Sequence, residues 1–311
     1  MAEIAIKRPV TSMSQGLAGR FRASWLGPRQ PYWGLLLVVP ILVFFIVFKF
    51  WPILRAARLS FFNASPVSPV ETFVGLDNYA ALLGDALFLR ALSVTATYVV
   101  GTVAPLMVAS LFLALLVNQS LRGVWLFRAL IFLPAIVPII IVPILWRVLF
   151  HPYGLVNEGL ALLSISGPNW LQDKGAVIWT LIIPTDWRFV PLYMLIYLAG
   201  LQAIPQDLYD AAKVDGATLV QRFRWITLPL LKPTTLVVLI ASVTFTAKSI
   251  VLPLVLTQGG PNNASATLSL FVYQMGFVFF RLGYATAASI VLLLIVVVFT
   301  IANLRLFRTD S

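Results

Sequence analysis

The 311-residue chain contains no cysteine and a single histidine, His151. Disulfides, thiolate metal sites and cysteine nucleophiles are thereby excluded, and so is a histidine-rich metal cluster. Charge is scarce too: 11% of residues are charged, against about 25% in soluble domains. Hydrophobic residues take its place, at 60% of the chain with a mean hydropathy of +0.95. This composition excludes a disordered chain and a soluble basic domain that binds nucleic acid. It predicts an all-α polytopic membrane protein, with room for roughly six spans of about 20 residues each. The net charge of +11 then asks on which side of a bilayer the cations sit.

Charge-free runs place the spans. The first is Gly34 to Phe48, between the aromatic belts Tyr32-Trp33 and Lys49-Phe50-Trp51. It lacks a small-residue cleavage site, so it reads as a retained span and not as a signal peptide. The basic stretch before it, residues 1–31, reads as a cytoplasmic tail, leaving 32–311 as the transmembrane domain. Further spans are expected over Ala91–Val117, Arg128–Arg147, Ala176–Leu201, Pro233–Leu256 and Leu282–Leu304. The third is interrupted by Pro134, Pro138 and Pro143, which either act as hinges or fix static kinks. Leu268–Phe280 is apolar but only about 20 Å long as a helix, so it reads as re-entrant or interfacial. The segment Asp77–Leu89 is expected to form one surface helix in the first outside loop. With the N-terminus inside, thirteen of the 22 Lys and Arg fall on the cytoplasmic side and six outside. That asymmetry favours both termini inside and an even number of spans. No internal repeat is evident, which weighs against an inverted-repeat transporter.

The loop after the fourth span, residues 204–233, carries the densest local signals. Pro205 suits a first helical turn, and Asp207 and Asp210 lie near the positive end of that helix. Gly216 supplies a left-handed stop. Thr218 caps a second short helix, Leu219 to Trp225, which Leu228-Pro229 is expected to end. The small residues Ala211 and Ala212 leave room for another surface to approach. Two short helices at an angle suit docking rather than chemistry, although an ordinary solvated loop is the plainer alternative.

Asp210-Ala211-Ala212, Gly216, Ile226 and Leu228-Pro229 together resemble the permease signature of binding-protein-dependent ABC importers. That signature reads Glu-Ala-Ala, three residues, Gly, nine residues, Ile, one residue, Leu-Pro. Every spacing is kept; Asp210 stands in place of Glu, with the same charge and a shorter reach. Phe73 to Tyr79, Arg128 to Pro134, Ala199 to Gln202 and Thr257 to Pro261 resemble stretches of the sugar-permease subfamily that handles maltose and glycerol 3-phosphate. The resemblance implies a type I importer permease fold with a coupling helix seated in a groove of a separate ATPase. It further implies two ATPase subunits, a second permease chain forming a heterodimer, an extracytoplasmic solute-binding protein, and a bacterial or archaeal inner membrane. ATP and magnesium would belong to the ATPase, because no G-x-x-x-x-G-K-[ST] phosphate cradle occurs in this chain. No cofactor or metal is expected on the chain itself, and it is read as a transport subunit, not an enzyme.

Three ionisable residues lie in expected spans: Asp186, Arg188 and Lys248. Each costs about 2.5–3.5 kcal/mol at a span centre on insertion scales, so each should face a wet cavity or a partner. Together with Trp187 they are candidates to line one outward cavity for a sugar, an oligosaccharide, an acidic sugar or glycerol 3-phosphate. A bracing Asp–Lys or Asp–Arg tie between helices is the competing use, and Trp187 serves equally as packing. A stand-alone ion-coupled transporter or channel relaying charge through Asp186, Arg188 and Lys248 is the alternative function.

Overall fold

A computed structural model describes residues 30–119 and 123–308 of the chain. The tail expected over residues 1–31 lies outside them up to residue 29, as does Arg122 from the charge asymmetry. The chain divides into two compact units, Met1–Arg55 and Ala56–Ser311.

The first unit holds α1 (Gln30–Phe45), a π turn (Ile46–Phe50) and the beginning of α2 (Trp51–Leu59). The apolar helix therefore does not stop at Lys49-Phe50-Trp51; the candidate span runs Val38–Leu59. Pro52 is tolerated because the π turn just before it closes on an N–H five residues on, Trp51 N to Ile46 O. This widening clears the carbonyl that the proline ring would otherwise meet.

The second unit opens with a hairpin, β1 (Phe62–Ser65) and β2 (Ser68–Phe73), antiparallel with Phe62 opposite Phe73. Asn78 donates from Nδ2 to the carbonyls of Ser60 (2.9 Å) and Phe62 (3.0 Å), and the Tyr79 hydroxyl reaches Ser60 Oγ at 2.7 Å. Asn78 and Tyr79 thus clamp the hairpin to α3 (Asp77–Gly84). The single surface helix expected over Asp77–Leu89 is two helices. Asp85 interrupts it in an extended conformation (φ −85°, ψ 109°) and accepts the Leu87 and Phe88 N–H groups, which starts the next helix. The Tyr284 hydroxyl holds the other oxygen of Asp85 at 2.7 Å.

That next helix, α4 (Ala86–Val117), is the longest element, and α8 (Val177–Gln202) packs along it. Between them lie α5 (Val124–Ile136), α6 (Ile141–Leu149) and α7 (Leu155–Leu162). Gly101 lets α4 and α8 approach closely: a Cβ there would lie 2.6 Å from Ile182 Cδ1. A buried Tyr98–Thr185 hydroxyl pair at 2.6 Å and a Ser110 bond to the Val190 carbonyl at 3.1 Å fix the two helices. The expected third span is not one kinked rod. Its two halves, Trp125–Ile136 and Ile141–Leu149, meet at 101°. Val137, in extended conformation before Pro138, ends the first half, as a residue preceding proline is steered to do.

After α8 come α9 (Gln206–Val214), α10 (Leu219–Arg222), a π turn (Phe223–Thr227), α11 (Leu228–Leu230) and α12 (Lys232–Ala247). The expected fifth span, Pro233–Leu256, is broken as well. Its helix stops at Ala247, and the carbonyls of Ala247 and Ser249 accept hydroxyls of Ser269 and Thr267 (3.1 and 3.4 Å) instead of continuing the ladder. Those donors belong to the start of α13 (Leu268–Tyr273), which a π turn (Gln274–Val278) extends. The first part of the apolar piece Leu268–Phe280 is therefore packed inward, while Phe277 to Phe280 are exposed: Leu268 and Leu270 are fully buried, and the Leu268 N–H meets Thr95 Oγ1 of α4 at 2.7 Å. Finally α14 (Leu282–Arg308) is long and apolar. Among the described residues four helices are long and apolar enough to cross a membrane, or up to six if each bent pair is one span.

Candidate functional site

The 204–233 loop is anchored at both ends and open in the middle. Ile204 and Leu231 are buried in the main core cluster, and Tyr209 and Ile226 pack against that cluster. Tyr209 also meets Thr227 through their hydroxyls at 2.9 Å, tying α9 to the turn that follows α10. α9 ends in a tight left-handed stop. Gly216 has φ +75°, its N–H reaches the Lys213 carbonyl (3.1 Å), and the Ala217 N–H reaches Ala212 (2.9 Å). These are the two bonds of a Schellman cap, and a Cβ-bearing residue is strained there. Thr218 and Gln221 then form a reciprocal capping box, with bonds of 2.7 and 3.3 Å. The chain keeps helical geometry through Leu228-Pro229 to Leu230, where the second short helix was expected to have ended. As at Pro52, a π turn ends two residues before the proline and makes room for its ring. The helix ends at Leu231, where the axis turns by 64° into α12.

The signature positions divide by direction. Ile226 faces the core, and Ala212 is half-buried. Asp210, Ala211, Gly216, Leu228 and Pro229 are exposed, with Val214 standing out at 88%. Asp210 is salt-bridged to Lys213 at 2.7 Å and accepts from Gln206 at 3.3 Å. The Lys213 bond, then the Gln206 bond, hold the Asp210 carboxyl below its ordinary range. The loop thus presents a rigid, preformed convex corner with a fixed negative charge and small side chains on its outer side. The capping-box partner Gln221 and the Tyr209–Thr227 tie went unread in the sequence. The first is visible there as Thr218-x-x-Gln221; the second joins residues 18 apart and has no local signature.

The four candidate pathway residues do not share one cavity. Asp186 and Trp187 line a cleft of about 440 Å³ with Pro134, Trp146 and Pro191. Lys248 lines a separate, larger one of about 740 Å³ with Ile139, Thr244 and Phe245. Asp186 Oδ1 is buried with no hydrogen-bond partner. Neither cation braces it: Arg188 instead donates to the Ala135 carbonyl at 3.2 Å and lies over the Phe189 ring. Trp187 sits edge-on to Trp146 with centroids 5.9 Å apart, inside an aromatic cluster. Ala135 belongs to the last turn of α5, whose carbonyls have no helical partner. The same use recurs elsewhere. Arg128 donates to Val117 O, the last residue of α4, at 2.6 Å, and Arg147 donates to the carbonyls of Val255 and Leu256 in a π turn (Pro253–Thr257). Three arginines therefore each satisfy carbonyls at a helix C-terminus, where a cation is favoured.

Comparison with known proteins fits this architecture. The chain is 35% identical over 288 residues to the trehalose/maltose transport system permease protein of Thermococcus litoralis, covering 91% of this chain and 96% of that one. It is 32% identical over 290 residues to the sulfoquinovosyl glycerol transport system permease protein of Agrobacterium fabrum, covering 92% and 94%. In fold it superposes on a chain of a bacterial alginate ABC transporter, crystallised with an alginate pentasaccharide-bound periplasmic protein, with TM-score 0.77 and 22% identity over 88% and 93% of the two chains. A family model for the inner membrane component of binding-protein-dependent transport systems matches residues 101–308, from the middle of α4 to the end of α14, and the chain belongs to that family.

Proposed function

We propose that this chain is the permease of an ATP-driven importer for a sugar or oligosaccharide, and that the 204–233 loop receives the force. A separate ATPase docks on the exposed face of α9 and the Gly216 corner; its closure moves α8 and α12, which the loop joins, and so switches access between the two sides. A second permease chain, two ATPase subunits and an extracytoplasmic binding protein complete the assembly, with both termini of this chain cytoplasmic. The observation that carries the reading is the loop's construction. Its two ends are buried in the core while Asp210, Ala211 and Gly216 stand exposed on a corner locked by two caps. A merely solvated loop has no need of that rigidity. A relay through Asp186, Arg188 and Lys248 is poorly served, because Arg188 is spent on a helix end and the other two line different clefts. The relatives' names point to saccharides of both neutral and anionic kinds.

The test is uptake into proteoliposomes by the complex purified from native membranes through a tag on this chain. Uptake of a saccharide from a panel should require ATP and the co-purified ATPase. Uptake by this chain alone, driven by an ion gradient, would overturn the reading.

A further inference from the structure

A third pocket, of about 440 Å³, opens between the N-terminal end of α4, the 254–266 segment and the face of α13 with its π turn. Its lining holds no charged side chain. It has three amides, Gln258, Asn263 and Gln274, and three aromatic rings, Phe271, Tyr273 and Phe279. Its floor is firm: Ala266, Phe271 and Met275 are buried. Its rim is built in advance. Thr257 and Ser265 join through their hydroxyls at 2.8 Å, and Ser265 also donates to the Gly260 carbonyl at 2.6 Å, closing the loop on itself. Gly259, at φ +85°, lets that loop lie against Ala266 and Leu270, where a Cβ would sit 3.2 and 3.1 Å away. Gln258 and Asn263 are held at φ +52° and +57°. Non-glycine residues in that region are uncommon, and such outliers gather at ligand clamps.

None of the three amide side chains has a hydrogen-bond partner among the described residues. Each offers two donors and a carbonyl acceptor. Hydroxyl groups are matched by such a set, since each both donates and accepts. The apolar face of a sugar ring is matched by the Tyr273 ring, which Phe277 supports in a stack at 5.7 Å. A carboxylate or phosphate would lose hydration here with no cation to offset it. The volume lies in the range of about 300–1,000 Å³ usual for small-molecule sites.

We propose that the pocket formed by Gln258, Asn263, Gln274 and Tyr273 is a binding site for a neutral saccharide ring, distinct from the Asp186 and Lys248 clefts. The proposal rests on the saccharide-importer reading for its ligand class. It places a neutral-sugar site at the end of the molecule where the hairpin, the start of α4 and the start of α14 meet.

The full chain in lipid nanodiscs, without ATP or partner chains, is examined by saturation-transfer NMR. The probes are glucose, galactose, arabinose, maltose and trehalose, with glucuronate as the anionic control. At least one neutral sugar should give transfer well above that of glucuronate. Gln258→Ala with Gln274→Ala should reduce the signal by at least about fivefold, the effect of losing roughly one hydrogen bond. Tyr153→Ala, at an exposed position outside the pocket lining, should leave it unchanged. Gln258→Ala alone, at an exposed position, replaces the pair should the double variant misfold, and it should weaken the same signal. No transfer from any neutral sugar, equal transfer from glucuronate, or a signal indifferent to the amide variants overturns the proposal. The importer reading stands or falls separately: ATP-driven uptake without transfer at this pocket sinks the pocket alone, and transfer without ATP-driven uptake sinks the importer alone.

Discussion

Gly216 does two things at its position: it holds φ +75° without the strain a Cβ brings, and it donates its N–H to the Lys213 carbonyl. Proline, fixed near −65° and lacking the N–H, removes both. Gly216→Pro should therefore leave the chain inserted in the membrane but reshape the corner, and the ATPase should no longer co-purify. Asp210→Lys should do the same by reversing the charge on the exposed side of α9. Normal co-purification and uptake in both variants would contradict the docking role. Protonation gives a second check. The folded-state pKa of Asp210 is depressed, so the stabilisation from its pairing is present above the ordinary carboxylate value and is lost only as pH falls through the lower folded value. As the pair is exposed, that contribution is small. ATPase retention should then have the same pH profile for wild type and Asp210→Asn between about pH 5 and 8, whatever the absolute levels. A titration in that window that vanishes in Asp210→Asn would contradict it. These local features were legible in the sequence because left-handed glycines and N-caps obey short-range rules.

Elements were harder to read. Prolines announce a break but not its angle, so the 101° turn between α5 and α6 could not be foreseen from Pro134, Pro138 and Pro143. Nor could the end of α12 at Ala247, which depends on hydroxyls contributed by Thr267 and Ser269 some 20 residues away. Lys248 sits just past that end and lines a different cleft from Asp186. The arginines Arg128, Arg147 and Arg188 acquire meaning only at this scale, as caps on helix ends. Arg188→Leu should deprive the Ala135 carbonyl of its donor and cost about 1 kcal/mol. Amide hydrogen exchange should rise in the last turn of α5, residues 133–136, while Arg188→Lys should restore part of the protection. Unchanged exchange combined with altered solute selectivity would mean that Arg188 serves the solute instead.

For the whole molecule, composition alone gave the membrane class and the helical fold, since both follow from sums over the chain. The hairpin clamped by Asn78 and Tyr79, the inward seat of α13 and the division of the candidate residues among separate clefts did not, because each depends on pairings between distant segments. The absence of cysteine makes the central claim directly accessible: Val214→Cys introduces the only thiol in the chain, at a highly exposed point of the α9 corner. In the native complex, a short thiol-reactive photo-crosslinker on that residue should capture an ATP-hydrolysing subunit, while the same probe at Tyr153→Cys, also exposed, should not. Crosslinks from position 214 only to lipid, or equal capture of the ATPase from position 153, would contradict the assignment of this loop as the place where the chain is driven.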